Sequence, residues 1–123
     1  MQGAELKGRH ILLVEDEWLV ADAISDAIDQ AGGTILGPTP SVEGALKLLA
    51  AAAQLPDAAT LNIRVADGES YPIADELARQ GIPFLFASAN GSSSLPSRFG
   101  RRPMVAKPFS GRQVVQALAA MLS

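Results

Sequence analysis

The sequence predicts an α/β fold, in which one parallel sheet is covered by helices on both faces. With 123 residues, 48% of them hydrophobic, the chain has the size and composition of one domain with a real core. Five short apolar runs predict buried strands, and stretches with apolar residues three or four positions apart alternate with them. Strands that alternate with helices in this way are typical of a parallel sheet.

The first half of the chain holds two strand–helix pairs. His10–Val14 is a short run rich in branched residues, which predicts a buried strand. Residues 17–31 form an amphipathic helical pattern that stops at a pair of glycines. A short strand is expected at Thr34–Leu36, followed by a Gly-Pro-Thr-Pro break and a second helix over residues 42–53, with Ser41 as its N-cap.

The second half continues the alternation after a proline that ends the second helix. Ala58–Ile63 predicts the third strand, and residues 73–78 carry the apolar side of a third helix. Phe84–Ala87 and Met104–Ala106 predict the fourth and fifth strands, and Ser110 caps a final amphipathic helix.

The stretch Ala87–Pro103 does not fit the pattern. A fourth crossover helix belongs there, yet glycine, serine and proline occur throughout, and Ser94–Arg98 could form one helical turn at most. The fourth helix is therefore expected to be short or missing, and the stretch to be a mobile loop.

Composition narrows the function classes. The absence of cysteine excludes disulfides, thiolate metal sites and cysteine nucleophiles. No apolar run approaches the ~20 residues that a membrane helix needs, and the start lacks a signal-peptide pattern, so a cytoplasmic protein without a membrane partner is expected.

Charge is distributed unevenly along the chain. The net charge of −3 argues against nucleic acid as the main partner. Residues 1–76 hold all 13 acidic residues and 4 of the 10 basic ones, whereas residues 77–123 hold the other 6 basic residues. This asymmetry fits a basic patch facing a partner, an acidic site facing basic residues across the fold, or ordinary solvated charge.

Polar residues follow four of the predicted strands. Glu15-Asp16-Glu17 comes after the first strand, Asn62 lies at the end of the third, Ser88 follows the fourth and Lys107-Pro108 follows the fifth. Because ligands bind outside the carboxyl ends of parallel strands, these side chains predict one site at one edge of the sheet.

The pattern resembles the receiver domain of two-component response regulators. The residues that carry the resemblance are an acidic pair, a motif around the third strand, a hydroxyl residue and a Lys-Pro-Phe motif: Glu15-Asp16, Pro56-Asp57…Asn62-Ile63…Asp67-Gly68, Ser88 and Lys107-Pro108-Phe109. The resemblance covers residues 8–122, so residues 1–123 are expected to form a single receiver domain. It implies a flavodoxin-like, doubly wound sheet of five parallel strands in the order 2-1-3-4-5.

One departure from the family decides the expected function. Where the family has its phospho-accepting aspartate, this chain has Asn62, whose amide carries no charge and is a very poor nucleophile. The resemblance assigns Ser88 and Lys107 to the phosphoryl group, and Glu15, Asp16 and Asn62 to a Mg²⁺ ion. No phosphorylation is expected because the amide is a poor nucleophile, and weak Mg²⁺ binding is expected because one anionic ligand is lost.

Further expectations follow from the family pattern. A cis Lys107–Pro108 bond would turn the lysine inward, where it would lie over the phosphoryl site or pair with Asp16 when the site is empty. Met104 stands where the family often has a switching aromatic residue. Each site residue also has a plain structural interpretation, such as Asp16 as a helix cap, or Asn62 and Ser88 as turn residues.

The sequence leaves two origins open. The chain is either a natural pseudo-receiver that signals without phosphorylation, or an Asp→Asn version of an ordinary receiver. Its expected partners are a histidine kinase, a histidine phosphotransferase or another signalling protein, with a homodimer as a further option. A phosphoryl-transfer enzyme on a similar sheet is the weaker alternative, and dinucleotide binding is weaker still because no G-x-G-x-x-G motif follows the first strand.

Overall fold

The computed structural model describes residues 4–88 and 95–123. Within them, seven strands lie at His10–Val14 (β1), Thr34–Thr39 (β2), Ala58–Leu61 (β3), Arg64–Val65 (β4), Gly68–Glu69 (β5), Phe84–Ser88 (β6) and Met104–Ala106 (β7). Four α-helices lie at Trp18–Gln30 (α1), Val42–Ala51 (α2), Tyr71–Arg79 (α3) and Gly111–Leu122 (α4). No helix in this part of the chain is long and apolar enough to cross a membrane.

Five strands form the main sheet in the order β2-β1-β3-β6-β7, and all neighbours are parallel. This confirms the predicted α/β fold and its strand order. The register pairs Val14 with Leu61 and Leu61 with Phe86, so the carboxyl ends of the three central strands lie side by side. Glu15, which directly follows β1, and Asn62, which directly follows β3, therefore meet at one edge.

The core lies in two layers because successive side chains of a strand point to opposite faces. On β1, Leu12 and Val14 pack with the buried residues of α2 and α3, whereas Ile11 and Leu13 pack with those of α1 and α4. All four side chains are at most 1% exposed. The sheet is thus covered on both faces, and only its edges and strand ends are available for chemistry.

Helix α4, which follows β7, packs closely against α1. A Cβ atom at Gly111, the first residue of α4, would lie 2.7 Å from the Cβ atom of Ala27 on α1. Glycine therefore lets α4 approach α1 more closely than any other residue would. Ser110 and Gln113 form a capping box at the same helix end.

The second strand continues further than its sequence indicates. The Gly-Pro-Thr-Pro break was expected to end it at Leu36, but β2 extends to Thr39. Gly37 has a φ of +103°, which glycine tolerates, and the register with β1 shifts between Leu12 and Val14. The extension matters for the site because the Thr39 carbonyl accepts a hydrogen bond from the Glu15 amide at 3.0 Å.

The described part of the segment between β6 and β7 contains a short helix, as expected. Residues 95–103 contain a three-residue 3₁₀ helix at Ser97–Phe99. The rest of the expected mobile loop, residues 89–94, lies outside the described residues.

A small antiparallel hairpin of β4 and β5 follows the third strand and was not predicted. Its turn residue Asp67 reaches α2, where its two carboxylate oxygens accept hydrogen bonds from the amides of Val42 (2.7 Å) and Glu43 (3.1 Å). Ser41 accepts a third hydrogen bond, from the Gly44 amide. All three donors belong to the unpaired first turn of the helix, and the hydrogen bonds from the Val42 and Glu43 amides lower the pKa of Asp67.

Replacing Asp67 with asparagine is expected to lower thermal stability near neutral pH. The pKa of Asp67 is lower in the folded chain than its ordinary value of 3.8, so its stabilising effect is full above that value and is lost as the pH falls through the folded pKa. The difference between the two proteins should therefore shrink on acidification. Thermal unfolding of both proteins, measured from neutral pH down to below pH 3.8, tests this prediction.

Asp26→Asn is the matched control for this prediction. Asp26 is an exposed carboxylate on α1. Should both variants show the same pH dependence, the cap on α2 would not be the cause.

Candidate functional site

Asn62 meets the acidic pair at the carboxyl edge of the sheet. Its side-chain nitrogen Nδ2 donates to Glu15 Oε2 at 3.0 Å and to Asp16 Oδ1 at 3.1 Å. Its backbone amide donates to the carbonyl of Val14, the last residue of β1, at 2.9 Å. The structure therefore brings together the three residues that the sequence placed in one site, although 46 and 47 positions separate them along the chain.

Glu15 is a carboxylate buried at the end of a strand. It is 3% exposed, and its Oε2 atom accepts hydrogen bonds from Asn62 and from the Glu17 amide. Its Oε1 atom is buried without a hydrogen-bond partner. Burial raises the pKa of Glu15, while the Glu17 amide and the positive charge of Lys107 act in the opposite direction.

Lys107 lies beside two of the three acidic residues that follow β1. Its Nζ atom lies 2.6 Å from Glu17 Oε1 and 3.7 Å from Glu15 Oε1. The suggested pairing with Asp16 was wrong for the site as described. Asp16 Oδ1 instead accepts a hydrogen bond from Asn62. The Lys107 ammonium donates to the carboxylate of Glu17, the residue just before α1.

The peptide bond between Lys107 and Pro108 is cis, as the family resemblance implied. The backbone amide of Lys107 donates to the Ser88 carbonyl at 2.9 Å. Ser88 itself is 3% exposed at the end of β6 and pairs in register with Ala106. The hydroxyl residue and the lysine therefore lie on neighbouring strand ends, as expected.

A cluster of aromatic residues lies on the face of the sheet that α3 covers. Met104, at the expected switch position, is partly buried against it. The ring of Tyr71 lies 5.7 Å from that of Phe99 and 6.4 Å from that of Phe86. The sequence contained these aromatic residues but offered no periodic signal that linked them.

A cleft of about 190 Å³ opens beside the acidic pair, and its lining includes Glu15, Asp16, Trp18 and Thr39. The two carboxylates and the amide oxygen of Asn62 are hard oxygen donors of the kind that Mg²⁺ prefers. The unbonded Oε1 of Glu15 is consistent with such a ligand. However, the described residues contain no group of three or more acidic, histidine or cysteine side chains placed to hold a metal.

Glu17 is a residue whose role the sequence did not indicate. It was grouped with Glu15 and Asp16, but no partner was assigned to it. The available signal was its position just before Trp18, where α1 begins and where a side chain commonly caps the helix.

Replacing Glu15 with glutamine is expected to raise the free energy of unfolding near neutral pH. Because burial raises the pKa of Glu15, the folded chain holds the charged form at a cost that a neutral side chain avoids. Below about 4.5, the ordinary pKa, the carboxyl is neutral in both states and the gain should disappear. Denaturant unfolding of both proteins, at neutral pH and at a pH well below 4.5, measures this difference in the free energy of unfolding.

Glu43→Gln provides the control, since the Glu43 side chain is 75% exposed on α2. It should show no comparable gain. A Glu15→Gln protein that is less stable at neutral pH would mean that the contacts of Glu15 outweigh the cost of its burial.

Solved structures of similar chains identify the family. SdrG from Sphingomonas melonis Fr1 is 38% identical, with 98% of this chain and 99% of that chain covered and a TM-score of 0.79. The BeF3-activated conformation of SdrG, described from Pseudomonas melonis Fr1, is 39% identical over 93% of this chain and 96% of that one, with a TM-score of 0.76. The non-phosphorylated HemR receiver domain from Leptospira biflexa has the same fold at 22% identity, with 94% of each chain covered and a TM-score of 0.77.

No family model matches the chain, and no curated protein matches it. The similarity to SdrG nevertheless extends over nearly the whole of both chains, and the structural neighbours are receiver domains of response regulators. This chain belongs to the response regulator receiver domains. It is a signalling module of the phosphorelay type, in a family of signalling modules rather than enzymes.

Proposed function

We propose that this chain is a receiver module that signals through protein contacts and does not accept a phosphoryl group at position 62. The observation that carries the proposal is the pair of hydrogen bonds from the Asn62 amide to Glu15 and Asp16. They put a neutral amide at the centre of the site, where the family has a nucleophilic carboxylate.

The chemistry of phosphorylation requires that carboxylate. In a receiver, a carboxylate oxygen attacks the phosphorus atom of the donor and an acyl phosphate forms. The bond that breaks joins phosphorus to the donor's leaving atom, which is a nitrogen in phosphohistidine and an oxygen in acetyl phosphate. An amide oxygen has no negative charge, and the amide nitrogen carries no available lone pair. In this chain the nitrogen is also engaged as a donor to two acids.

Weak Mg²⁺ binding is part of the proposal. Glu15, Asp16 and Asn62 would hold the ion, which supplies positive charge against phosphoryl oxygens when bound. The amide contributes no charge, and both carboxylates already accept hydrogen bonds from it. Cation affinity should therefore be lower than with aspartate at position 62.

The expected partners follow from the family and from this site. A histidine kinase, a histidine phosphotransferase or another signalling protein would bind the module in the cytoplasm, without transfer of phosphate to position 62. The alternative is that an aspartate receiver is the parent form and asparagine a replacement. The activated SdrG structure favours testing this alternative, because that similar protein was captured with BeF3.

The decisive experiment compares the chain with its Asn62→Asp variant. Both are incubated with acetyl phosphate and Mg²⁺, and intact mass is measured before and after hydroxylamine, which cleaves acyl phosphates. We expect no added phosphoryl group on the chain as it stands. The Asn62→Asp variant should gain one phosphoryl group, which hydroxylamine removes.

Asn62→Ala serves as the matched control, since it removes the amide without supplying a nucleophile. It should behave like the unsubstituted chain. Hydroxylamine-sensitive phosphate on the unsubstituted chain would defeat the argument from Asn62. An Asn62→Asp protein that folds but takes no phosphate would count against the receiver chemistry of this site.

A further inference from the structure

The contact between Lys107 and Glu17 joins two distant parts of the chain. The Lys107 Nζ atom donates to Glu17 Oε1 at 2.6 Å, across 90 positions in sequence. It connects the start of α1 to the segment between β7 and α4. The Lys107 side chain is only 18% exposed, so an anionic partner helps to stabilise its charge there.

The residues that would be the obvious partners make no hydrogen bond to this ammonium, although Glu15 forms an ion pair with it. Asn62 is neutral and presents a donor, not an acceptor, to the acids around it. Glu15 lies 3.7 Å from the ammonium, beyond hydrogen-bond distance, and its Oε1 atom has no hydrogen-bond partner. Its other oxygen accepts from Asn62 and from the Glu17 amide.

Glu17 is free to take the lysine because it does not cap its own helix. It occupies the N-cap position of α1, where a side chain commonly accepts from the first turn, yet its carboxylate makes no such bond. Instead the carboxylate faces Lys107 and makes a short, charge-assisted hydrogen bond.

We propose that Glu17 is the residue that positions Lys107 in this chain, through the contact of its carboxylate with the ammonium. The inference rests on the proposed function in one respect, namely that position 62 supplies no negative charge. Glu17 acts here through Lys107 and is a positioning residue.

A consequence follows for the Asn62→Asp variant. A carboxylate at position 62 would then compete with Glu17 for the ammonium, with Glu15 3.7 Å from it in the present arrangement. Removing the charge of Glu17 should release Lys107 toward position 62, where the family uses it on the phosphoryl group.

The first test measures hydrogen exchange of the Lys107 backbone amide, which is bonded to the Ser88 carbonyl. Glu17→Gln should speed its exchange about two- to fivefold, the factor that a partly exposed ion pair supports. Glu5→Gln is the matched control, since it removes another long-range ion pair to α4, Glu5–Arg112 at 2.7 Å, away from the site. It should leave the Lys107 amide unchanged.

Lys107→Gln provides the reference for complete loss of the contact. If it speeds exchange of that amide while Glu17→Gln does not, another acid positions the lysine and the proposal is overturned. It is equally overturned if neither variant has an effect, because the contact then holds nothing in place.

The second test is a double-mutant cycle in the Asn62→Asp protein, with acetyl phosphate and Mg²⁺. Glu17→Gln should raise the phosphorylation rate when Lys107 is present and should have no effect when Lys107→Gln is also present. A gain that persists without Lys107 would show that the lost charge merely eases approach of the anionic donor, and it would overturn the competition.

The two proposals fail separately. If the Asn62→Asp protein takes no phosphate, the proposed function is contradicted. The exchange measurement on the unsubstituted chain still decides whether Glu17 positions Lys107.

Discussion

The two hydrogen bonds that the Asn62 amide donates to Glu15 and Asp16 are the interaction on which the rest of the site depends. Three acidic residues follow one another at the end of β1, and their carboxylates repel unless donors or cations lie between them. The Asn62 side chain supplies two donors from one nitrogen, and Lys107 supplies the positive charge on the other side. A neutral amide thus does part of the structural work that a bound cation would do.

This arrangement is possible because the parallel sheet aligns its strand ends. The backbone amide of Asn62 donates to the Val14 carbonyl, which sets position 62 beside the residues that follow β1. Lys107 is placed in the same way, through its amide bond to the Ser88 carbonyl. The backbone positions of Asn62 and Lys107 are therefore set by main-chain hydrogen bonds to neighbouring strands.

Much of this was accessible from the sequence, because apolar runs mark buried strands and polar residues at their ends mark the edge. Fold class and the meeting of Asn62 with Glu15 and Asp16 follow from that reasoning, whereas the strand order followed from the resemblance to receiver domains. The β4–β5 hairpin was missed because strands of two residues carry no periodicity. The extension of β2 through Gly37 was missed because Gly-Pro normally ends regular structure.

The partner of Lys107 could not be predicted for a different reason. Sequence shows which side chains gather at a strand end, but not which of several adjacent carboxylates lies closest to an ammonium. That choice depends on the direction in which the chain leaves β1 and on where α1 begins. Here α1 begins at Trp18, immediately after Glu17.

The most direct test of the central claim is a ¹H–¹⁵N NMR titration of the chain and of Asn62→Asp with beryllofluoride, a phosphoryl mimic, at a constant concentration of Mg²⁺. We predict that the amide signals of residues 62, 88 and 107 stay in place in the unsubstituted chain and shift together in the Asn62→Asp protein. Saturable shifts of the same size in the unsubstituted chain would contradict the claim that the amide at position 62 closes this site to phosphoryl chemistry.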